Sequence, residues 1–166
     1  MEEGRTVAST RVQVAEMMMP HHANPGGNVH GGVIMKMIDD AAGVVAIRHA
    51  RGNAVTASID GLSFHAPVYV GNLVVLRASM NYVGRTSMEV GVRVEAEDLR
   101  SGEVRHTASA YLTFVALDRE GKPRPVPPLI LETPEDRRRW EAAERRREER
   151  TRTRKILKEE GLYRSR

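Results

Sequence analysis

From Ser87 to Glu97 every second residue is apolar: Met88, Val90, Val92, Val94 and Ala96 alternate with Ser87, Glu89, Gly91, Arg93, Glu95 and Glu97. A period of two is kept by an extended strand with one face in a core and the other toward water. Strands of that kind belong to antiparallel sheets, because parallel sheets bury both faces. The alternation recurs in residues 54–60, where Val55, Ala57 and Ile59 oppose Thr56, Ser58 and Asp60. It recurs again in residues 73–83, with Val74, Leu76, Ala78, Met80 and Tyr82 on one face. Ser101 and Gly102 supply a turn, and residues 104–117 read as a last long strand. Residues 5–18 read as a first strand, weighted by Val7, Val12, Val14, Met17, Met18 and Met19 and ended by Pro20.

Residues 30–49 have a different pattern. Their apolar side chains go most of the way round a helix, which predicts burial on nearly all sides. One buried helix followed by consecutive one-sided strands gives an α+β domain, an antiparallel sheet wrapped around a long central helix. Pro123, Pro125, Pro127 and Pro128 mark an extended exit from that sheet. Thr133-Pro134-Glu135-Asp136 then starts a helix: a capping hydroxyl, proline in the first turn and acids at the positive end of the dipole. That helix, reaching about Glu160, has few large apolar residues beyond Trp140, Ile156 and Leu157. It is expected to lie across a surface, a neighbouring subunit's included. The chain thus divides into a core domain, 1–133, and a charged C-terminal helical tail, 134–166.

Length and composition bound the chemistry. A chain of 166 residues can bury one core without staples. With no cysteine, a disulfide framework, a thiolate zinc site and a cysteine nucleophile are excluded. The histidines show no metal-ligand spacing, so no metal is expected. Gly-x-Ser-x-Gly and glycine-rich phosphate loops are missing. The N-terminus is acidic with no apolar stretch behind it, and residues 33–47 are too short and too charged to span a bilayer. A cytoplasmic protein without membrane insertion is expected. Residues 135–166 carry 13 Lys/Arg against 8 Asp/Glu. That tail reads as a solvated helix of mixed charge, and no nucleic-acid partner is expected.

Several polar residues invite a chemical reading. Asp39 stands about two and a half turns into the apolar helix, among Met35, Ile38, Ala42 and Gly43. A carboxylate there is costly unless paired or used; alternatively the helix is amphipathic and both Asp39 and Asp40 are wet. Gly31 and Gly32 offer backbone N–H groups at the positive end of the helix dipole, where an oxyanion could be held, or they merely ease helix entry. Asn24 could orient a water or a carbonyl, or cap a turn; Asn28 and His30 carry the same ambiguity.

The run from Pro20 through His21, His22, Ala23, Asn24, Pro25, Gly26, Gly27, Asn28, Val29, His30, Gly31 and Gly32 to Met35-Lys36-Met37-Ile38-Asp39-Asp40-Ala41-Ala42-Gly43 resembles the signature of the cytosolic long-chain acyl-CoA hydrolases and their YciA-like bacterial relatives. So do Thr56-Ala-Ser-Ile-Asp60-Gly-Leu-Ser-Phe64-His65, Ser87-Met-Glu-Val, the strand ending at Phe114, and the Pro-Val-Pro-Pro exit. The resemblance implies a hotdog fold, pairing of two subunits into a continuous sheet, and assembly as a trimer of dimers. It implies hydrolysis of acyl-CoA to free CoA and a carboxylic acid, with no cofactor because coenzyme A is part of the substrate. In two-domain relatives one domain carries an essential asparagine and the other an essential aspartate; Asn24 and Asp39 match those positions. His30, Gly31 and Gly32 then serve the oxyanion or substrate, and Arg85 and Arg93 are candidates for the CoA phosphates. The alternatives are a non-catalytic acyl-CoA sensor and an acyl hydratase. No DNA-binding helix pair precedes residue 20, and no histidine–carboxylate pair matches a hydratase.

Overall fold

A computed structural model describes residues 3–162. In chain order the elements are β1 (Arg5–Thr6), a helical turn α1 (Val7–Thr10), β2 (Val12–Met17), the long helix α2 (Gly31–Ala50), β3 (Ala54–Phe64), β4 (Leu73–Val83), β5 (Ser87–Glu97), β6 (Val104–Ala116), β7 (Leu129–Ile130) and α3 (Pro134–Glu159). The single strand expected over residues 5–18 is therefore interrupted. Ser9 N donates to the Thr6 hydroxyl and Ser9 Oγ to the Thr6 carbonyl at 2.8 Å, and these local bonds turn the backbone before β2 begins.

Five strands form one antiparallel sheet in the order β2-β4-β5-β6-β3. The two short strands β1 and β7 pair separately, in parallel. α2 lies against one face, the inner face. Its Ile34, Ile38, Ala41, Ala42, Val45 and Ala46 are buried, as are Leu76, Val90, Val94, Leu112 and Phe114 of the strands that meet it. Each large side chain there contributes on the order of 1.5–3 kcal/mol by leaving water. The alanines on α2 let the helix approach the sheet closely. Burial all round, however, does not hold in one protomer: Met35, Val44 and Ile47 are 41%, 39% and 49% exposed. The sheet curves round only one side of the helix, so the opposite stripe remains open.

The outer face of the sheet is crossed by α3, which begins with a capping box between Thr133 and Asp136. Two inner/outer assignments from alternation change here. Tyr82 is not on the inner face. A β-bulge at Asn81, between the Met80 and Tyr82 pairings, shifts the register, and Tyr82 packs on Trp140 of α3 with ring centroids 4.4 Å apart. Glu89 is not on a wet face. α3 covers it, leaving 3% of it exposed, and Arg146 pairs with it at 2.6 Å.

Candidate active site

The site begins in the loop before α2. Asn24 Oδ1 accepts from Gly26 N at 2.9 Å, Asn24 N donates to the Asn28 carbonyl at 2.7 Å, and Gly27 N returns to the Asn24 carbonyl at 3.0 Å. The turn needs a left-handed residue, and Gly27 supplies it at φ +86°. Val29 N donates to the Val68 carbonyl at 2.8 Å, which fastens this loop to the segment after β3. His30 is the N-cap of α2: its Nδ1 accepts from Gly32 N at 3.0 Å. Gly32 N–H is thus engaged by the cap. Gly31 N–H belongs to the first turn, which has no intrahelical acceptor.

A cleft of about 330 Å³ lies where these pieces meet, lined by Asn24, Asn28, Gly31, Phe64 and His65 among others. Backbone N–H groups at the positive end of α2 favour a developing negative charge there.

Asp39 lies deeper along the same helix and is half-buried. Its Oδ1 accepts from Thr56 Oγ1 of β3 at 2.7 Å. Asp40, one residue on, is exposed and forms an i,i+4 pair with Lys36 at 2.5 Å. The two aspartates therefore differ as their angular separation on a helix requires: Asp39 faces the neighbouring strand and Asp40 faces water. Asp39 does not line the cleft that holds Asn24 and Gly31; one protomer brings Asn24, Asn28 and Gly31 together and leaves Asp39 apart. Thr56 was not among the expected site residues. In the sequence it opens a run that shares the family resemblance, but only the packing of α2 on β3 ties it to Asp39. Phe64 and His65, which end that same run, line the cleft although no role was assigned to them.

The two arginines considered for CoA phosphates lie elsewhere. Arg85 is exposed at the β4–β5 turn, its carbonyl accepting from Val126 N at 3.0 Å. Arg93 is on the outer face, its Nε 2.9 Å from Glu95. Hydrogen bonds from Arg93 and then Arg77 hold the Glu95 carboxyl below the usual range. Among the described residues no group of three or more His, Asp or Glu is placed to hold a metal ion, and no helix is long and apolar enough to cross a membrane.

Residues 26–103 match the thioesterase superfamily. Protein VdlD of Helicobacter pylori is 41% identical over 147 residues, covering 89% of this chain and 84% of that one. YkhA of Bacillus subtilis, described as an uncharacterized acyl-CoA thioester hydrolase, is 40% identical over 134 residues, 81% of this chain and 78% of its own. A cytosolic acyl coenzyme A thioester hydrolase of Mus musculus is 38% identical over 84% of this chain, which spans only 37% of that longer protein. Among solved structures, an apo-hexameric acyl-CoA thioesterase superposes with a TM-score of 0.88 at 37% identity, covering 92% of this chain and 97% of that one. An acyl-CoA hydrolase of Staphylococcus aureus in complex with butyryl coenzyme A, coenzyme A and coenzyme A disulfide gives 0.85 at 32% identity, covering 95% and 96%. Variants of that enzyme with an aspartate, a threonine and an asparagine each replaced by alanine have the same fold as this chain, at TM-scores of 0.85, 0.84 and 0.84.

Proposed function

The chain belongs to the thioesterase superfamily, and from that membership we propose that it hydrolyses acyl-CoA to free CoA and a carboxylic acid at a site shared between two subunits. The observation that carries the reading is the separation of Asp39 from the Asn24–Gly31 cleft within one protomer, with Asp39 fixed by Thr56 at 2.7 Å. Asp39 is nine residues beyond the helix cap, roughly 13 Å along the axis. One subunit's Asn24 and Asp39 therefore converge poorly on a single carbonyl. A two-fold axis relating antiparallel copies of α2 brings Asn24 of one copy toward Asp39 of the other.

The open surfaces support that pairing. Among the described residues β3 is an edge strand paired with β6 alone, with Val55, Ile59 and Phe64 41%, 41% and 50% exposed. The side of α2 away from the sheet is open as well, with Ile47 49% exposed and Met35 and Val44 41% and 39% exposed on its two flanks. A long apolar edge of this kind is an aggregation hazard unless another strand covers it. A second copy, joined through β3 into a continuous sheet, covers both. The dimers are then expected to associate in threes, as hexameric relatives suggest. The aspartate, threonine and asparagine altered in the Staphylococcus aureus enzyme are spaced along its chain as Asp39, Thr56 and Asn24 are along this one.

In the reaction, water attacks the thioester carbonyl carbon and passes a proton to the Asp39 carboxylate. The carbonyl oxygen becomes an oxyanion held by Gly31 N–H at the start of α2, with the Asn24 amide orienting the carbonyl or the water. Collapse of the tetrahedral intermediate breaks the carbon–sulfur bond, and the CoA thiolate takes the proton back from Asp39. The acid and free CoA leave, so no cofactor is consumed. His30 holds the helix start, and Arg85 and Arg93 are the proposed contacts for the CoA phosphates.

Release of free CoA thiol from acyl-CoAs of several chain lengths tests the activity. The shared site is tested by refolding Asn24→Ala together with Asp39→Ala. Mixed dimers contain one intact site, and random pairing restores roughly a quarter of wild-type turnover. Mixed dimers that form but stay inactive place the site within one subunit.

A further inference from the structure

α3 crosses the outer face strand by strand. Arg139 bonds to Ser79 of β4 at 3.0 Å, Arg146 to Glu89 of β5 at 2.6 Å, and Arg150 to Asp60 of β3 at 2.6 Å. β3 is the last strand in the order β2-β4-β5-β6-β3. The helix nevertheless runs on to Glu159, so residues 151–159 carry it roughly 13 Å farther, in the direction that leaves that edge. Of these residues only Leu157 is half-buried, and the rest are exposed.

Charges on this part of α3 are sorted unlike those at its start. In the first turns Glu135 takes Arg138 at 2.6 Å and Arg139 at 2.9 Å, the ordinary i,i+3 and i,i+4 pairing of an exposed helix. Farther on, Glu144, Glu148, Thr151, Lys155 and Lys158 follow one another at spacings of three and four. They share one flank, next to the side that Ala143 and Arg150 turn to the sheet. All five are exposed. Like charges are thus neighbours, Glu144 with Glu148 and Lys155 with Lys158, which disfavours an isolated helix. Among the described residues none of these four charges is in an ion pair. The flank is, however, complementary to itself. Glu148 and Lys155 stand three and four residues from Thr151, and Glu144 and Lys158 stand seven on either side. An antiparallel copy turned about Thr151 sets every glutamate against a lysine.

We propose that the 144–158 flank of α3 is an interaction surface for a second copy of this chain, packed antiparallel against the same flank of that copy's α3. The proposal rests on the joining of two β3 edges described under the proposed function, and not on the chemistry of the site. A two-fold axis between two β3 strands lies half a strand spacing, about 2.4 Å, outside each of them. Since Arg150 reaches β3, α3 crosses that axis one or two residues later, close to Thr151. The symmetry of the sheet and the centre of the charge stripe therefore meet at the same residue, although neither depends on the other. Leu157, on the same side of the helix as Arg150, then lies over the sheet of the second copy.

The chain has no cysteine, so one substitution gives a unique cross-linking site. In the full chain, Thr151→Cys is expected to join two subunits through a short bis-maleimide. Arg145→Cys, exposed and nearly two turns from the axis, should stay single. Lys155→Glu/Lys158→Glu should speed subunit exchange between two labelled preparations about 10-fold at low ionic strength, and the gap should narrow as salt is raised. Adding Glu144→Lys/Glu148→Lys to that variant puts opposite signs back across the two-fold axis. Exchange should then return to the wild-type rate, which a merely misfolded variant would not do. The proposal is overturned if Thr151→Cys does not cross-link, if the lysine reversal leaves exchange unchanged, or if the combined swap exchanges as fast as the reversal alone. Turnover of the refolded Asn24→Ala and Asp39→Ala mixture separates this from the catalytic reading. Cross-linking with an inactive mixture keeps the helix contact and sinks the shared site; restored turnover without cross-linking does the reverse.

Discussion

The two faces of the sheet hold their helices by different physics. On the inner face α2 is held by apolar burial spread over many side chains, from Ile34 and Ile38 to Val45 against Leu76, Val90 and Leu112. On the outer face α3 has Ala143 as its one buried residue, with Trp140 against Tyr82 and otherwise a line of arginines: Arg139 to Ser79, Arg146 to Glu89, Arg150 to Asp60 at 2.6 Å. Distributed burial spreads its contribution over many side chains and is not screened by salt as charge pairs are. A few ion pairs concentrate the same task in single residues, and one of them, Glu89, is fully buried. The inner face can therefore carry the half-buried carboxylate of Asp39 without depending on it for stability, whereas the outer face depends on Glu89.

The largest expected effect is catalytic and lies on the inner side. Asp39→Asn should lower turnover by about 10²–10⁴-fold with little change in melting temperature, because the amide cannot take the proton. Asp40→Asn, which loses only a solvated pair with Lys36, should leave turnover near wild type. Steady-state thiol release with a thermal melt on each variant checks both; a damaging Asp40→Asn with a mild Asp39→Asn would reverse the assignment of the active helix face. Next comes the outer side. Arg146→Met leaves Glu89 buried and unpaired and should cost about 3–5 kcal/mol in denaturant unfolding. Pairing it with Glu89→Gln should recover much of that loss. A single Arg146→Met as stable as wild type would remove the contrast between the faces.

Thr56→Val should act more gently than Asp39→Asn. Losing one hydrogen bond to a carboxylate corresponds to about a tenfold fall in turnover, with stability nearly unchanged. The smallest effect concerns His49, buried near the end of α2, whose Nε2 lies 2.8 Å from the Pro127 carbonyl. Burial, with Arg5 nearby, pushes its pKa below the ordinary 6.5. The unfolded chain then binds a proton below pH 6.5 that the folded chain refuses. Stability should be full above that pH and decline as pH falls from 6.5 toward the folded value. Unfolding curves between pH 7.5 and 5 (about the range over which this residue titrates) should be flatter for His49→Gln than for wild type.

The sequence made the regular parts of this contrast visible. β4 and β5 have the bounds that alternation implies, and the Thr133 cap marks the start of α3. It was less informative wherever a residue's neighbour is remote in the chain. The bulge at Asn81 is a property of two paired strands, so Tyr82 was assigned to the wrong face. Glu89 looked like any outward acid because its cover, Arg146, lies 57 residues away. The break before β2 hid in two hydroxyls that prefer a local turn. At the candidate site, Asp39 and Asn24 were singled out by the family resemblance, and Thr56 lay in a run that shares it; only α2 resting on β3 brings the Thr56 hydroxyl to the Asp39 carboxylate. Burial of α2 all round was overstated for a related reason: its open stripe belongs to a surface that a second copy is proposed to cover.

The polar character of the outer face also bears on the order in which a ribosome delivers the molecule. The five-stranded sheet can close once β6 has emerged, but Arg146 follows some thirty residues later, about 2–6 s at ordinary elongation rates. For that interval the nascent sheet stands without its outer helix. What it shows to the crowded surroundings is mostly polar, with Arg77, Ser79, Glu89, Arg93, Glu95 and Ser109 beside the two rings of Tyr82 and Tyr111. A mainly hydrated surface of this kind offers other chains little apolar area to stick to, and Glu89 stays in contact with water until Arg146 arrives. A face lined with leucine and valine would spend the same seconds as an aggregation site.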